Sequence, residues 1–152
     1  MSNQLTIRSF RLTDLDRILE IEAAVFAADA YDRKLFAEYF HKCGDLFLVV
    51  ERRRNICGYI LTCMRGRATS ATAELVSIAV DPDAQRCGAA SALLESTLRR
   101  LRRRSIARFS LIVKVTNQPA LRFYEKYGFT KVRTVRQYYE DAADGYLMAK
   151  NL

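Results

Sequence analysis

The sequence predicts an α/β domain in which helices cover a mixed β-sheet. Short runs rich in β-branched and aromatic residues alternate along the chain with segments whose apolar residues recur at helical spacing. The 152 residues suffice for one domain with a substantial core, and 50% of them are hydrophobic. Because we find no internal repeat, linker or low-complexity segment, we interpret residues 1–152 as a single domain.

The first half of the chain predicts a strand, two helices and a hairpin. Residues Leu5–Phe10 alternate between apolar and polar, as in a half-buried strand. A helix follows, with Thr13 as its expected N-cap, and a shorter helix is predicted over Tyr31–Phe40. The β-rich runs Leu46–Val50 and Ile56–Met64 flank the polar segment ERRRN, which predicts a hairpin.

The second half predicts four strands and two helices. The run Ala73–Val80 is more uniformly apolar than the earlier strands, as in a central strand, and the dipeptide Asp81-Pro82 ends it. A helix is expected to begin near Gly88 and to end in the segment RRLRRR. The remaining elements are a helix from Asn117 to Gly128 and strands at Phe109–Val115, Phe129–Val135 and Tyr146–Ala149.

The formal net charge of +8 is distributed unevenly along the chain. Residues 1–51 carry 6 Lys or Arg against 9 Asp or Glu, whereas residues 52–152 carry 19 against 8. We therefore expect the second part to attract a polyanionic ligand, and the first part to accept a cationic amine.

The four cysteines, Cys43, Cys57, Cys63 and Cys87, lack C-x-x-C spacing, and His41 is the one histidine of the sequence. This pattern disfavours a zinc site and a disulfide framework, so we expect reduced thiols and no metal. The sequence has no apolar run of membrane-spanning length, and its first residues do not resemble a signal peptide. We expect a cytoplasmic protein that does not bind a membrane.

Residues 74–94, ELVSIAVDPDAQRCGAASALL, form the most informative segment. A strand, a Pro turn and a loop of small residues precede a helix whose first turn carries no acidic side chain. The first backbone N–H groups of a helix lack internal partners and lie at the positive end of its dipole. The segment therefore predicts a pyrophosphate site, for which Gly88, Ala89 and Ala90 leave room. An ordinary strand-to-helix turn is the alternative.

Two motifs carry a resemblance to a known family. Residues 85–90, QRCGAA, resemble the Q/R-x-x-G-x-G/A loop of the GNAT acyl-CoA N-acetyltransferases, which follows their I-A-V-x-P strand. Residues 117–129, NQPALRFYEKYGF, resemble the N-x-x-A-x-x-F-Y-x-x-x-G-F stretch of the same family. Two motifs in the right order are far more specific than either alone.

The resemblance covers nearly the whole chain and is strongest from Ala73 to Met148. It is closest to the ribosomal-protein N-terminal alanine acetyltransferase branch, as the ending with Tyr138, Tyr139, Asp144 and Gly145 suggests. It implies the GNAT fold, with a mixed, mostly antiparallel sheet of six to seven strands, about four helices and a splay between strands 4 and 5.

The implied activity is transfer of an acetyl group from acetyl-CoA to a primary amine of a protein N-terminus or lysine, by direct attack in a ternary complex. The acceptor would contact Glu22, Phe26, Tyr138 and Tyr139. The residues expected to bind acetyl-CoA are Ile78, Ala79, Val80, Gln85, Arg86, Cys87, Gly88, Ala89, Ala90, Ser91, Asn117 and Tyr124.

The resemblance also implies catalytic roles. Tyr124 would protonate the departing coenzyme sulfur, because a phenol and an alkyl thiol have similar pKa values. The branch usually carries a Glu where this chain has Ile112, and isoleucine accepts no proton. Glu74 matches the base of the histone-acetylating branch and is our first choice, with Glu22 and Tyr139 as lesser candidates.

Each of these residues also has a structural interpretation. Glu74 is equally well explained as a solvent-facing strand residue. Asn117 would serve as an N-cap, and Tyr124 as a core aromatic of an amphipathic helix.

Other functions stay open at this point. A small amine such as a polyamine or an aminoglycoside is the alternative acceptor, and a non-catalytic module that binds acyl-CoA or RNA is the alternative class. An RNA module would use the basic cluster of Arg99, Arg100, Arg102, Arg103 and Arg104. Because no aromatic residues interleave with this cluster, a solvated helix end is favoured and nucleic acid is not expected as a partner. We expect a monomer or a homodimer.

Overall fold

The structure is a computed structural model that describes residues 4–66 and 71–152. Within these ranges the chain forms four α-helices and seven β-strands. The helices are α1 (Leu15–Phe26), α2 (Arg33–Cys43), α3 (Ala89–Arg103) and α4 (Gln118–Lys126). The strands are β1 (Leu5–Ser9), β2 (Phe47–Arg52), β3 (Asn55–Arg65), β4 (Thr72–Val80), β5 (Arg108–Lys114), β6 (Thr130–Val135) and β7 (Gly145–Asn151).

The strands form one mixed sheet in the order β1-β2-β3-β4-β5-β7-β6. Strand β1 pairs antiparallel with β2, β2 with β3, and β7 with both β5 and β6. Strands β4 and β5 pair in parallel, from Thr72 opposite Arg108 to Leu75 opposite Leu111. This pairing takes up only the first part of β4, in agreement with the splay that the resemblance implies. The expected α/β fold class, with a mostly antiparallel sheet, is confirmed.

The chain divides into two compact units. The first unit comprises Met1–Cys63 and Val76–Arg100, and the second comprises Met64–Leu75 and Leu101–Leu152. Our interpretation of residues 1–152 as one domain stays a prediction.

The core of the first unit is rich in aromatic residues. Helices α1 and α2 cover one face of the sheet with Ile18, Ile21 and Phe36, all at most 1% exposed. The Phe36 ring meets Phe47 and Tyr59, with ring centroids 6.1 and 5.6 Å apart. Large buried rings contribute most to core stability, so this cluster fixes the two helices against the strands.

A smaller aromatic cluster lies in the core of the second unit. The Phe129 ring contacts Phe109 of β5 and Tyr124 of α4, with ring centroids 5.6 and 5.8 Å apart. Leu121 and Met148 are also buried in this unit. These contacts hold α4 against β5 and against the segment that leads into β6.

The predicted cap of the first helix is wrong. A 3₁₀ turn at Leu12–Asp14 precedes α1, and Thr13 makes no capping hydrogen bond. The Asp14 carboxylate instead accepts the Arg11 N–H at 2.8 Å and both terminal nitrogens of Arg8 at 2.9 Å. Burial alone would raise the pKa of Asp14, but these hydrogen bonds outweigh it and the pKa is lowered.

The second helix begins later than Tyr31. Asp32 is its N-cap, and the Asp32 carboxylate accepts the Leu35 N–H at 2.9 Å. An aspartate in this position satisfies one of the unpaired amides of the first turn, so α2 begins at Arg33.

The predicted hairpin is confirmed, and its turn consists of Arg53 and Arg54 alone. Arg52 pairs with Asn55, and the two turn residues have φ of 54° and 67°. Two consecutive positive φ angles are the geometry of a type I′ turn, whose twist matches that of the flanking strands.

The expectation that all four cysteines are reduced is wrong for two of them. Cys43, at the end of α2, forms a disulfide with Cys63 of β3, with a Cα–Cα distance of 4.9 Å. The pair is 20 residues apart in sequence, and only the tertiary fold brings them together. Cys57 and Cys87 are free. In the described part of the chain, no helix combines the length and the apolar character needed to cross a membrane.

Candidate active site

The turn between β4 and α3 is fixed by helix α1 and strand β3. The Asp81 N–H donates to the Cys57 carbonyl at 2.7 Å, and the Asp81 carboxylate accepts the Asp83 N–H and the Arg17 guanidinium. Arg17 also donates through Nε to the Ile56 carbonyl at 3.0 Å. The Asp83 N–H and then Arg17 lower the pKa of Asp81. The start of the loop that leads to α3 is therefore held from two sides.

Two residues of this loop adopt left-handed backbone conformations. Arg86 has φ 65° and Gly88 has φ 83°. A Cβ added at Gly88 would meet nothing within 4 Å, so the glycine is required by its backbone conformation and the space beside it is open. The Ala92 N–H donates to the Gly88 carbonyl at 2.9 Å, which begins α3, and the first turn has no acidic residue. The N–H groups ahead of Ala92 have no partner inside the helix.

The predicted diphosphate-binding residues differ in their exposure. Gln85, Arg86 and Gly88 are exposed, Cys87, Ala90 and Ser91 are half-buried, and Ala89 is buried. The Cys87 thiol donates to the Ala84 carbonyl at 2.8 Å, so its side chain closes the turn. Gln85 and Arg86 are the side chains of this loop that are free to reach an anion in solvent.

The end of β4 lies tightly against β3. Ala79 is 4% exposed, whereas Ile78 and Val80 are half-buried. A Cβ added at Gly58 would lie 2.9 Å from the Ala79 carbonyl oxygen and 3.3 Å from the Val80 side chain. The absence of a side chain at Gly58 therefore sets how closely these strands approach.

A buried polar cluster lies in the first unit, where Glu22 is 1% exposed. Its carboxylate accepts the Tyr31 N–H at 2.9 Å and the Tyr59 hydroxyl, and the Ser77 hydroxyl lies 2.8 Å from that of Tyr59. Burial raises the pKa of Glu22, and the two hydrogen bonds oppose this effect. Burial, and then the Glu22 charge, raise the pKa of Tyr59 well above its usual value. Phe26 lies on the same helix and packs against the apolar core.

Sequence reasoning missed Tyr59 and Ser77 as members of this cluster. Ser77 is the one hydroxyl residue within the apolar run of β4 after Ala73, and it is 7% exposed. A hydroxyl in a buried strand needs a hydrogen-bond partner, and this was the signal available in the sequence.

Tyr124 is 6% exposed in α4. Burial, and to a lesser extent the charge of Tyr139, raise the pKa of Tyr124. Its hydroxyl therefore keeps its proton at neutral pH. Asn117 caps the same helix, because its side-chain oxygen accepts the Ala120 N–H at 3.2 Å. The capping role of Asn117 is confirmed, and a role in binding coenzyme A stays a prediction.

The loop before β7 carries the tyrosine pair. The Tyr138 and Tyr139 rings meet edge to face with centroids 5.0 Å apart, and Tyr138 is 49% exposed. The Tyr139 N–H donates to the Ala143 carbonyl at 3.2 Å. Lys114 lies 5.0 Å from the centre of the Tyr139 ring and 3.0 Å from the Asp141 carboxylate. The backbone hydrogen bond and the contact with Lys114 thus hold the tyrosine pair in place, and Tyr138 faces solvent.

Ile112 adjoins the same loop. A Cβ added at Gly145 would lie 2.7 Å from the Ile112 side chain and 3.5 Å from the Tyr139 ring. The surface beside Tyr139 is therefore apolar at this point and carries no proton acceptor from position 112.

Glu74 forms an ion pair. Its carboxylate lies 3.2 Å from Arg65, and the Glu74 side chain is 36% exposed. Glu74 stands opposite Ser110 in the parallel pairing of β4 with β5. Both interpretations of Glu74 are compatible with this position, and its role as a base stays a prediction.

Within residues 4–66 and 71–152, no group of three or more His, Cys, Asp or Glu side chains lies close enough together to hold a metal ion.

A match to a known protein family identifies the kind of enzyme to which this site belongs. The model of the Acetyltransferase (GNAT) family matches residues 12–129. The chain belongs to the GNAT acetyltransferase family. The resemblance inferred from the two motifs is therefore confirmed, and so is the inference that this GNAT protein is an N-acetyltransferase enzyme.

Individual relatives agree with this assignment. The GNAT chain is 32% identical over 155 residues to the N-alpha-acetyltransferase of Sulfurisphaera tokodaii, across 96% of this chain and 92% of that protein. It is 34% identical over 140 residues to the ribosomal protein bS18-alanine N-acetyltransferase of Escherichia coli K12, across 92% and 90%. The crystal structure of Ard1 from Thermoplasma volcanium matches with TM-score 0.88 and 27% identity over 97% of each chain.

Proposed function

We propose that this GNAT enzyme transfers the acetyl group of acetyl-CoA to the α-amine of a protein N-terminus. One observation carries the proposal: the relatives from Sulfurisphaera tokodaii and Escherichia coli, which this chain matches over nearly its whole length, are both named for that kind of acceptor. A lysine side chain and a small amine are the competing acceptors.

The loop from Gln85 to Ser91 is proposed to bind the diphosphate of acetyl-CoA. The open space beside Gly88 and the absence of acidic residues in the first turn of α3 fit an anion at this helix N-terminus. The exposed Arg86 adds a positive charge. Asn117 is proposed to contact the pantetheine or diphosphate region through the polar atoms that its capping bond leaves available.

Two groups are proposed to act on the thioester, which is the activated acyl donor. The N–H of Val80, flanked by Ile78 and Ala79, would donate to the thioester carbonyl and stabilise the charge that develops there. Tyr124 would donate its proton to the departing sulfur. A phenol is protonated at neutral pH, as this role requires, and its raised pKa makes it a weaker acid than a free phenol.

Glu74 is proposed to accept the proton of the acceptor amine, either directly or through water. Tyr138 and Tyr139 are proposed to hold the acceptor, and the exposed Tyr138 ring is suited to pack on a peptide. Glu22 and Phe26 are assigned to the acceptor side. Since both hydrogen bonds of Glu22 are made within the fold, its proposed contribution is to hold the backbone at Tyr31 in place.

Two further predictions belong to this proposal. A cytoplasmic location stays a prediction, and the Cys43–Cys63 disulfide is unusual for a reducing compartment outside hyperthermophiles. The assembly as a monomer or a homodimer also stays a prediction.

The test is release of coenzyme A with matched acceptors. One peptide is offered with a free N-terminus and no lysine, and a second with a blocked N-terminus and one internal lysine. A polyamine and an aminoglycoside complete the panel. We expect turnover with the first peptide, and mass spectrometry should locate the acetyl group on the α-amine. Turnover confined to the lysine peptide or to the small amines would reject the proposed acceptor.

A further inference from the structure

The surface where α3 ends and β5 begins carries a concentrated positive charge that acetyl transfer leaves unexplained. Arg102, Arg103 and Arg104 are exposed at the end of the helix, and Arg108 is exposed at the first position of β5. We call these four residues the arginine patch. The connection between them is held by the backbone, since the Ala107 N–H donates to the Ala71 carbonyl at 3.1 Å.

Three of the four patch residues have no acidic partner among the described residues. Across residues 4–66 and 71–152, Arg102, Arg103 and Arg108 form no ion pair. Arg104 contacts the Met64 sulfur at 3.5 Å, next to Arg65, which pairs with Glu74. The segment from residue 99 to residue 109 contains no acidic residue. This local excess of positive charge would attract an anionic partner.

The helix does not need these side chains as caps. The Ile106 N–H donates to the Leu101 carbonyl and the Ser105 N–H to the Arg102 carbonyl, both at 3.1 Å. Ser105 has φ 56°, the left-handed conformation that ends a helix in this way. The carbonyls of Leu101 and Arg102 are thus satisfied by backbone, so the exposed arginines are not required as caps of this helix end.

The neighbours of the patch indicate which anionic partner fits. Leu101, Ile106 and Phe109 are at most 5% exposed, so these apolar residues are withdrawn into the core. A membrane surface or a protein interface would use exposed apolar anchors beside the charges. The planar fork of arginine matches a phosphate group, and with Phe109 buried the segment has no ring on which a base could stack.

We propose that the arginine patch binds the phosphate backbone of a nucleic acid without reading its bases. This inference does not depend on the acetyl acceptor proposed above. It assigns the enzyme a second contact surface, which would retain it beside polynucleotide while acetyl transfer proceeds elsewhere on the molecule.

The test measures binding of a short fluorescent single-stranded RNA and of a DNA of the same sequence by anisotropy. We expect an affinity in the range of about 1 to 100 μM at moderate salt, which falls steeply between about 50 and 200 mM salt. The patch variant is Arg102→Gln, Arg103→Gln and Arg108→Gln. It should weaken binding about tenfold or more and flatten the salt dependence by about two units.

The matched control removes three exposed arginines from the first unit, as Arg11→Gln, Arg53→Gln and Arg54→Gln. It lowers the net charge by the same amount and should leave binding nearly unchanged. Acetylation of a free peptide and the thermal unfolding midpoint should be equal in the patch variant and the wild type. Absence of RNA and DNA binding by the wild type, or an equal loss in both variants, would overturn the proposal. Binding of the patch to acidic proteins or anionic vesicles in preference to both polynucleotides would also overturn it.

Discussion

Two roles compete for Glu74, and its ion pair with Arg65 separates them. If the carboxylate serves only as the partner of Arg65, then Glu74→Gln and Arg65→Gln remove the same interaction. If Glu74 accepts the proton of the amine, only the Glu74 variant loses a catalytic group. Because an exposed ion pair contributes little to stability, both variants are expected to fold.

We therefore predict that Glu74→Gln lowers kcat about 100-fold or more and that Arg65→Gln leaves it within a small factor. The measurement is the rate of coenzyme A release at saturating acetyl-CoA over a range of pH. Equal losses in the two variants would assign Glu74 to the ion pair alone.

The Tyr124 hydroxyl is protonated at neutral pH, and the packing of its ring fixes its position. Tyr124→Phe keeps the ring contact with Phe129 and removes the hydroxyl, so the fold is expected to be retained. We predict a fall in kcat of about 100-fold with little change in the KM for acetyl-CoA. Tyr127→Phe, at the residue that follows α4, is the control and should retain the wild-type kcat. A parallel loss of kcat and of acetyl-CoA affinity would indicate a structural role.

Glu22 makes the stability of the protein depend on pH in a defined direction. Its pKa is raised in the folded state relative to the value of 4.5 expected when the chain is unfolded. Between these two values the folded state binds more protons than the unfolded state. The contribution of Glu22 to the free energy of unfolding therefore falls as the pH rises through that window.

We predict that Glu22→Gln removes this fall, because a neutral amide can still accept the Tyr31 N–H. Urea unfolding midpoints of the variant and the wild type should approach each other below pH 4.5 and separate in favour of the variant as the pH rises above that value. Glu20→Gln, on the exposed side of α1, is the control. A difference between variant and wild type that is constant with pH would contradict the prediction.

The loop into helix α3 allows strain and charge to be tested separately. Gly88→Ala adds a methyl group that meets no atom within 4 Å but strains a backbone at φ 83°. Its cost should be about 1 kcal/mol of stability. Gly88→Glu carries the same strain and adds a negative charge to the proposed diphosphate site.

We predict that Gly88→Glu abolishes acetyl-CoA binding and that Gly88→Ala weakens it modestly. Isothermal titration calorimetry with acetyl-CoA measures both affinities. Equal affinities for the two variants would reject the loop as the diphosphate site.

At the level of elements, the sequence predicts the features that depend on residues close together in the chain. The apolar run of β4, the turn at Asp81-Pro82 and the capping Asn117 are all confirmed, because each depends on neighbours in the chain. The first cap is wrong because Asp14 finds a partner in Arg8 of β1, a contact that no local pattern indicates.

For the same reason, the order of the strands in the sheet cannot be predicted from local sequence patterns. Strand β7 lies between β5 and β6, and its position depends on pairing with residues more than 30 positions earlier in the chain, such as Met148 with Leu111. In the candidate site, the motifs predict the loop and Tyr124. They do not predict that Tyr59 and Ser77 enclose Glu22, which depends on how α1 crosses the strands.

The whole molecule is cross-linked between the end of α2 and β3 by the Cys43–Cys63 disulfide. A disulfide restricts the unfolded chain, and for a loop of this size the stabilisation is about 3 kcal/mol. We predict that Cys43→Ser combined with Cys63→Ser lowers the free energy of unfolding by about that amount. Urea unfolding with and without a dithiol reductant measures it.

The wild type should shift on reduction to the midpoint of the double variant. Cys87→Ser is the control, since Cys87 is free and its variant should keep the response to reductant. If reductant does not move the wild-type midpoint, the disulfide is absent in solution or does not stabilise the fold.

Gly58 limits how the protein can be redesigned. A methyl group there would press on the Ala79 carbonyl at 2.9 Å, and a carbonyl oxygen is present whatever residue occupies position 79. Its contacts with Val50 and Val80, at 3.1 and 3.3 Å, would yield to smaller side chains, but the contact with the peptide group would not. A directed-evolution library aimed at new acyl donors should therefore vary the valines and leave position 58 untouched.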